Sequence, residues 1–316
     1  MPAFHSLLAV RDEADIMAQS LEHHLLWADH VHVFDTGSTD GTWDVLLEMA
    51  GRHPQMHLIG RRPVYFSDTE VRSFVFDQAR ARMRQGDWVL RCDADEFHHV
   101  LPPEFVSTRM RPHETAAYHQ YYDFQFTVDD LGAWNEGREG LADRSRPISE
   151  RRRFFTVSAE PEPRLFRYRE AMQWPHHASF PVNAGYVARE RLPIRHYPNR
   201  DPEQMRARCA LRRQMLAYPP SRVTWASADT HHWGAASWED FVARMDMPGL
   251  LAWDGAGPLP ASVPCHLPGQ TKRLVQRMAH AFVVPWLDHL RPKMSTGQPH
   301  PLAETEQEKL AVRQPF

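Results

Sequence analysis

Three carboxylates and two histidines follow directly on an apolar run in the stretch WVLRCDADEFHHV, residues 88–100. Asp93 and Asp95 are separated by one small residue, so a tight turn after a strand would present both carboxylates. Oxygen ligands of this kind suit Mg²⁺ or Mn²⁺, which keep open positions for the phosphates of a substrate. The stretch therefore predicts a divalent metal site, and the simpler alternative is that Asp93, Asp95 and Glu96 only cap the next element.

Two further groups of polar residues also stand directly after strand-like runs. Strand-like and helix-like patterns alternate over the first hundred or so residues, which predicts a mostly parallel sheet covered by helices on both faces. Ligands of such sheets bind at the carboxyl ends of the strands, where like charges can meet only if a cation or hydrogen-bond donors offset them. The three groups are Arg11, Asp12 and Glu13, then Asp35, Thr36 and Ser38, and finally Asp93, Asp95 and Glu96.

The elements that must position these groups are predicted from hydrophobic periodicity. Strands are predicted at residues 4–10, 30–35, 55–60 and 87–92, with helices at 12–27, 42–51 and 68–86. Beyond about residue 115 the pattern predicts strands in AYHQYYDFQFTV, EPRLFRYREAMQW and LPIRHY, and a helix in DPEQMRARCALRRQMLAY. The polar, glycine-containing segment 129–153 is typical of a long loop, and such loops often act as binding lids.

Composition restricts the class of protein. The chain has 316 residues, 42% of them apolar, which suffices for one large core or two modest ones. A formal charge of −3 argues against broad attraction to nucleic acid, although the run from Arg151 to Arg153 could bind an anion or form a solvated basic face. The three cysteines form no CxxC pair, so no disulfide framework or thiolate zinc site is indicated. Without a leader-like segment or a long apolar run, the expected location is the cytoplasm.

Three motifs in order resemble the successive signatures of one enzyme family. VRDEAD at 10–15, VFDTGSTDGT at 33–42 and WVLRCDADEF at 88–97 are similar to those of family-2-type glycosyltransferases with the GT-A fold, in the branch whose metal motif reads D-x-D-E-F. The resemblance covers about residues 3–100, and EPRLFRY and IRHYPNRDPEQM resemble later segments of that branch. One departure is Thr36, which stands where many members have a second acidic residue before the glycine.

The resemblance implies transfer of a sugar from a nucleotide-sugar donor, usually UDP-linked, to a hydroxyl of a carbohydrate or glycoconjugate acceptor. It implies Mn²⁺ or Mg²⁺ as cofactor, and inversion at the anomeric carbon is the expected outcome. The implied fold class is α/β, namely GT-A, with a Rossmann-like, mostly parallel sheet flanked by helices and a C-terminal mainly helical extension. The expected division is 1–115 for the nucleotide-sugar-binding half, 116–210 for the acceptor-binding half and 211–316 for the extension.

Matched residue by residue, the motifs imply a set of site residues. The donor-binding residues would be Val10, Arg11, Glu13, Asp35, Arg72 and Asp93. The metal ligands would be Asp93 and Asp95, with His196 added because GT-A enzymes often place a late histidine in the metal or diphosphate shell. The candidates for catalysis are Glu96, which could equally orient a ligand from behind the metal pair, Asp123 and His176. No spacing rule selects the catalytic base among five candidates, namely Asp123, His176, Asp129, Asp130 and Glu150.

Other classes of protein and other partners remain open. A haloacid-dehalogenase-type phosphatase would need a second acid where Gly37 stands. A non-catalytic nucleotide-sugar-binding or scaffold protein is the main alternative, although the intact Asp93 and Asp95 argue against it. The basic amphipathic segment 272–290, interrupted by Pro285, is compatible with peripheral membrane contact, but packing on the domain or on a second subunit is expected. The oligomeric state is left open, and the adjacent pairs His23/His24 and His231/His232 are expected to pack rather than to bind metal.

Overall fold

The computed structural model describes residues 1–64, 68–158, 162–182, 184–215, 237–262, 264–265 and 270–283. The strands are β1 Phe4–Val10, β2 His30–Asp35, β3 Met56–Arg61, β4 Trp88–Cys92, β5 Glu96–His98, β6 Ala116–Gln125, β7 Phe154–Val157, β8 Pro163–Arg167, β9 Leu192–His196 and β10 Leu251–Ala252. The helices are α1 Met17–Leu25, α2 Thr42–Arg52, α3 Asp68–Ala79, α4 Pro102–Thr108, α5 Val128–Asn135, α6 Ile148–Arg151, α7 Pro202–Met215 and α8 Gln270–Met278. Short 3₁₀ turns lie at Arg80–Arg82, Leu141–Ser145 and Trp238–Phe241, and a π-helical turn at Ala279–Val283 follows α8.

The N-terminal half of the sheet is parallel. β1 lies between β2 and β4 and pairs in parallel with both, and β2 pairs in parallel with β3. Alternate side chains of each strand enter opposite cores: Leu8 and Leu90 pack in the cluster that contains residues of α1 and α2, whereas Leu7 and Val89 pack in the cluster that contains residues of α3. The predicted α/β architecture, a mostly parallel sheet flanked by helices, is confirmed.

The remaining strands extend this sheet in a mixed arrangement. β8 pairs antiparallel with β4, β6 antiparallel with β8, and β7 antiparallel with β6. β9 runs parallel to β6 and antiparallel to β5. In the register of these pairs, His196 at the end of β9 lies opposite both Glu96 and Asp123. Strand pairing therefore gathers residues that are far apart in the chain.

The segment 129–153 differs from its prediction. Instead of a long loop, it contains α5, a 3₁₀ turn and α6. Arg151 and Arg152 are buried and lie 2.9 Å from the carboxylate of Glu139, so neither belongs to a solvated basic face or an exposed anion site. The prediction of a long loop is wrong because the segment contains Glu139, whose carboxylate pairs with both arginines. These ion pairs stabilise short helices in a stretch that has little apolar content.

The C-terminal part is described only in pieces. Residues 237–262 are mainly irregular, with one 3₁₀ turn and with β10 pairing antiparallel to β7. The helix predicted at 272–290 is present from Gln270 to Met278, whereas Pro285 and the pair His231 and His232 lie outside the described residues. The domain boundaries stay a prediction. None of the helices in the described ranges is long and apolar enough to cross a membrane.

The turn after β2 depends on Gly37. Its φ of +101° is a conformation that side chains disfavour, and a Cβ would lie 2.7 Å from Cα of Pro63. We expect Gly37→Ala to lower the free energy of unfolding by roughly 3 kcal/mol, through backbone strain together with this steric conflict. Urea denaturation measures the loss.

Gly41→Ala is the matched control for this turn. Gly41 has a φ of +99°, but a Cβ there would meet nothing within 4 Å. Only the backbone strain of about 1–2 kcal/mol is therefore expected. Equal losses in the two variants would show that the approach of Pro63 does not constrain the turn.

Candidate functional site

A cleft of about 890 Å³ opens where the parallel strands end. It is lined by residues of the turns after β1, β2 and β4, by Tyr121 of β6, Arg164 of β8 and His196 of β9, and by one face of α7. Of the three strand-end groups predicted to meet, the first and, apart from Glu96, the third line this cleft, whereas Asp35, Thr36 and Ser38 of the second do not. The predicted site residues that line the cleft are Val10, Arg11, Glu13, Arg72, Asp93, Asp95 and His196.

Asp93 is held between two arginines. Its Oδ1 accepts a hydrogen bond from Arg72 Nη2, and its Oδ2 lies 3.3 Å from Arg164 Nη1. Arg72 also donates to the carbonyl of Cys92 at 3.2 Å, which fixes its guanidinium beside the end of β4. Burial acts to raise the pKa of Asp93, but the charges of Arg72 and Arg164 outweigh it and lower the pKa well below its ordinary value. Asp93 is therefore a carboxylate whose charge the protein itself offsets.

Glu96 forms a buried network behind Asp93. Its Oε1 accepts hydrogen bonds from Arg164 Nη2 at 2.7 Å and from the hydroxyl of Tyr121, and its Oε2 accepts one from the Asp93 N–H at 3.2 Å. Burial raises the pKa of Glu96 to about 7, although the charge of Arg164 opposes this. Because Glu96 is fully buried and is not among the cleft-lining residues, it can orient Arg164 and the D-x-D turn but does not face an acceptor.

His196 connects Asp95 to Asp123. Its Nε2 lies 3.4 Å from Asp95 Oδ2, and its Nδ1 lies 2.6 Å from Asp123 Oδ1. Burial acts to lower the pKa of His196, but the two carboxylates raise it to about 10. The ring is thus fixed by Asp123 and turns its other nitrogen to Asp95. This arrangement suits either an imidazolium or a metal-binding histidine whose second nitrogen is held by a carboxylate.

Arg200 meets the acidic residues from the side of α7. Its guanidinium donates to Glu13 Oε2, lies 2.6 Å from Asp15 Oδ2 and comes within 4.0 Å of Asp95 Oδ2. Burial raises the pKa of Glu13 to about 7 against the charge of Arg200. One buried arginine therefore offsets carboxylates that follow two different strands.

Four of the predicted site residues do not line the cleft, namely Glu96, Asp123, Asp35 and His176. Asp35 is fully buried, and its Oδ1 accepts hydrogen bonds from the N–H groups of Gly37 and Ser38 at 2.8 and 2.7 Å. Its Oδ2 has no hydrogen-bond partner in the described part of the chain, and Arg61 Nε lies 3.9 Å away. His176 is exposed in a turn away from the cleft lining, so the structure does not bring it to the other candidates.

Histidines near the D-x-D turn pack in the core. His98 is buried, and its N–H donates to His23 Nε2 at 2.8 Å. His24 Nδ1 lies 3.1 Å from the hydroxyl of Ser6. For these three residues the structure shows packing and internal hydrogen bonding, as expected for the His23 and His24 pair.

The cleft also contains cations that sequence reasoning missed. Arg164 belongs to EPRLFRY, but nothing in that run indicates that its side chain reaches a turn about 70 residues earlier. Arg208 and Arg212 are four positions apart, so they lie on one face of α7, and this spacing was the available signal. Burial and the charge of Arg208 lower the pKa of Arg212 to about 8. Helix α7 therefore brings two arginines to the cleft, together with Glu203.

One oxygen and one nitrogen of the site are spaced for a shared divalent cation. Within the described ranges, no three His, Cys, Asp or Glu side chains form a ready cage for a metal ion. Asp95 Oδ2 and His196 Nε2 nevertheless lie 3.4 Å apart, a separation that two ligands, each about 2.1 Å from a shared ion, can span. Since His196 Nδ1 is already held by Asp123, this oxygen and nitrogen pair fits such an ion.

Comparison with known proteins gives only distant similarity. No protein-family model matches the sequence, and no curated protein is significantly similar to it. Among solved structures, a mannosyltransferase from Pyrobaculum calidifontis in complex with GDP-Man and Mn²⁺ has 15% identity, covering 73% of this chain and 70% of that chain, with a TM-score of 0.37. Mannosyl-3-phosphoglycerate synthase from Rubrobacter xylanophilus has 15% identity, 68% and 73% coverage, and a TM-score of 0.34. Glucosyl-3-phosphoglycerate synthase from Mycobacterium tuberculosis, in complex with phosphoglyceric acid, has 14% identity, 69% and 81% coverage, and a TM-score of 0.33. Similarity at this level transfers no residue role to the present chain.

Proposed function

We propose that the protein is a GT-A glycosyltransferase that moves a sugar from a nucleotide-sugar donor, UDP-linked by expectation, to an acceptor hydroxyl. The observation that carries this proposal is the D-x-D turn at the end of a parallel strand, facing a histidine that a carboxylate holds in place. The cleft around this turn combines carboxylates on the strand ends with arginines on the facing helix, a composition that suits a metal-bound diphosphate. The motifs of residues 10–42 support the same function.

In this proposal Asp93, Asp95 and His196 would hold Mn²⁺ or Mg²⁺. The bound cation would stabilise the negative charge that develops on the leaving diphosphate. Asp123 orients the imidazole of His196, at 2.6 Å. Arg164 and Arg72 orient Asp93, whose oxygens each keep a further lone pair for a cation.

The donor nucleoside would lie against the turns after β1 and β2. Arg11 donates to the carbonyls of Thr36 and Val64 at 3.4 and 3.2 Å, so its side chain is fixed across the ends of both strands. Val10 and Glu13 line the same part of the cleft, whereas Asp35 is fully buried and does not line it, so its contact with the base or ribose stays a prediction.

The other candidate residues have indirect roles in this proposal or none. Arg208 and Arg212 would attract the phosphates from the α7 side. Glu96 and Asp123 are positioning residues, because each holds another side chain of the site. His176 has no role, and inversion at the anomeric carbon stays an expectation from the resemblance.

Calorimetric titration of UDP and of GDP, each with and without Mn²⁺, tests the proposal. We expect binding of a nucleoside diphosphate only in the presence of the cation. Release of the diphosphate from a nucleotide sugar, with water or an added sugar as acceptor, separates an enzyme from a non-catalytic binding protein. Binding that is equally strong without metal would contradict the metal role, and the absence of binding to either nucleotide would contradict the function.

A further inference from the structure

Helix α8 turns its polar side towards the protein and its apolar side outwards. Arg273 Nε donates to the hydroxyl of Tyr186 at 2.6 Å, its guanidinium lies 5.1 Å from the centre of that ring, and its Nη2 lies 3.9 Å from Glu114 Oε1. Leu274 and Val275, on the other side of the helix, are 56% and 61% exposed. Helices of globular domains normally bury their apolar stripe against the core, so the orientation of α8 is inverted.

The exposed apolar side chains form one continuous stripe. Met278, four positions after Leu274, is 56% exposed, and Phe282, four positions further in the π-helical turn, is 72% exposed. Residues at this spacing are neighbours on a helix surface. We call Leu274, Val275, Met278 and Phe282 the α8 apolar face. Single exposed apolar residues are common, but a contiguous group of them marks an interaction surface.

The charge around the α8 apolar face is positive. Residues 270–283 include Lys272, Arg273 and Arg277 but no Asp or Glu. Arg277 and Arg111 are both exposed. Arg111 lies beside α8, because its N–H donates to Glu114 Oε2 at 2.9 Å and Glu114 Oε1 lies 3.9 Å from Arg273 Nη2.

The nearby carboxylate does not cancel this positive charge. Glu114 is buried, its side chain faces Arg273, and its oxygens also accept hydrogen bonds from the backbone N–H groups of Arg111 and Arg189. Among these charged groups, the guanidinium groups of Arg111 and Arg277 therefore reach solvent and the carboxylate of Glu114 does not.

We propose that the α8 apolar face docks on an anionic lipid surface, with Phe282 and its apolar neighbours in the headgroup–acyl boundary and Arg277 and Arg111 against lipid phosphates. A basic polar side combined with an apolar stripe is the pattern of helices that lie in a membrane interface. A second copy of the chain is a poorer occupant, because pairing two such faces would bring their arginines together without a carboxylate on either helix. This inference does not depend on the proposed function.

Co-sedimentation with phosphatidylcholine vesicles, with and without phosphatidylserine, tests the docking surface. We expect binding only to the anionic vesicles and a loss of at least about tenfold in Leu274→Glu/Met278→Glu, since two charges would enter the apolar boundary. Arg277→Gln is expected to weaken binding about fivefold. Leu47→Glu, at a position on α2 that is 50% exposed, is the matched control and is expected to bind like the wild type.

Circular dichroism should show all these variants folded, because the replaced side chains face solvent. Equal binding to both kinds of vesicle, or an unchanged affinity in the double variant, would overturn the proposal. The proposal would also be overturned if the wild type did not bind vesicles but formed an oligomer, and if the double variant did not form that oligomer. A second copy of the chain would then be the partner that covers the α8 apolar face.

Discussion

Replacement of Asp95 by asparagine is expected to lower the rate of sugar transfer by about 10³-fold or more. Asparagine keeps the size of the side chain but removes the charge that faces His196 at 3.4 Å and Arg200 at 4.0 Å. A catalytic cation contributes several kcal/mol of charge stabilisation, and a loss of about 4 kcal/mol corresponds to a 10³-fold lower rate. Initial rates of nucleoside diphosphate release over a Mn²⁺ titration measure the effect.

Asp123→Asn is expected to behave differently from Asp95→Asn. Asp123 contacts His196 and does not line the cleft, so its loss should weaken Mn²⁺ affinity about 10–100-fold and should be compensated by excess Mn²⁺. Asp129→Asn makes the same change of charge at an exposed position of α5 and is the matched control. If folded Asp95→Asn reached the wild-type rate at saturating Mn²⁺, Asp95 would not be a ligand.

Acidification is expected to destabilise the fold strongly because the protein buries neutral histidines. Burial lowers the pKa of His5 to about 4 and that of His32 to about 2. These residues lie on the neighbouring strands β1 and β2, and His5 Nδ1 lies 3.2 Å from His32 Nε2. Burial also lowers the pKa of His23 and of His24 to about 3. The unfolded chain takes up a proton at each histidine near pH 6.5, whereas the folded protein does not.

The sign of the pH dependence follows from these lowered pKa values. The stability is fully present above about pH 6.5 and is lost as the pH falls towards the folded-state values. Each histidine contributes about 1.4 kcal/mol per pH unit in this window. Burial also lowers the pKa of His98 and His119, which adds to the loss, whereas it raises the pKa of Glu13 and Glu96 to about 7, which offsets a similar amount. The net loss is therefore roughly 5 kcal/mol per unit below about pH 5.5, which rivals the total stability of many domains. Carboxylates near the rings oppose the loss, but the neighbouring cations and histidines add to it. The neighbouring groups whose charges shift the pKa values of His5 and His32 are His30, His57, Arg82, Asp29 and Asp87. For His23 and His24 these groups are Arg195 and Asp93.

Urea unfolding followed by circular dichroism at about pH 7.5, 6.5 and 5.5 measures this dependence. His32→Gln keeps a hydrogen-bonding side chain that cannot titrate, so the slope of stability against pH should fall by about a quarter. His177→Gln, at an exposed position, is the matched control and should leave the slope unchanged. A free energy of unfolding that stays constant over this range would falsify the prediction.

The alternation of the first four strands with helices could be predicted because it rests on local patterns. Apolar residues at spacings of two or of three to four positions indicate which face of an element is buried, and this information lies within each segment. The predicted strand 87–92 differs from β4, Trp88–Cys92, by one residue, and the D-x-D turn follows it as expected. The short strand β5 was missed, since its three residues are stabilised by pairing with β9 about 100 residues later.

The sequence by itself determined that carboxylates would gather at one edge of the sheet and that their charge had to be offset. Only the tertiary structure decided which groups offset it: Arg164 reaches Asp93 from 71 residues away, and Arg200 reaches Asp15 from 185 residues away. The same holds for His196, which meets Asp123 only because β9 runs parallel to β6. Strand order and register are non-local, so the residue types around Asp93 could specify the charge to be balanced but not the arginines and histidine that balance it.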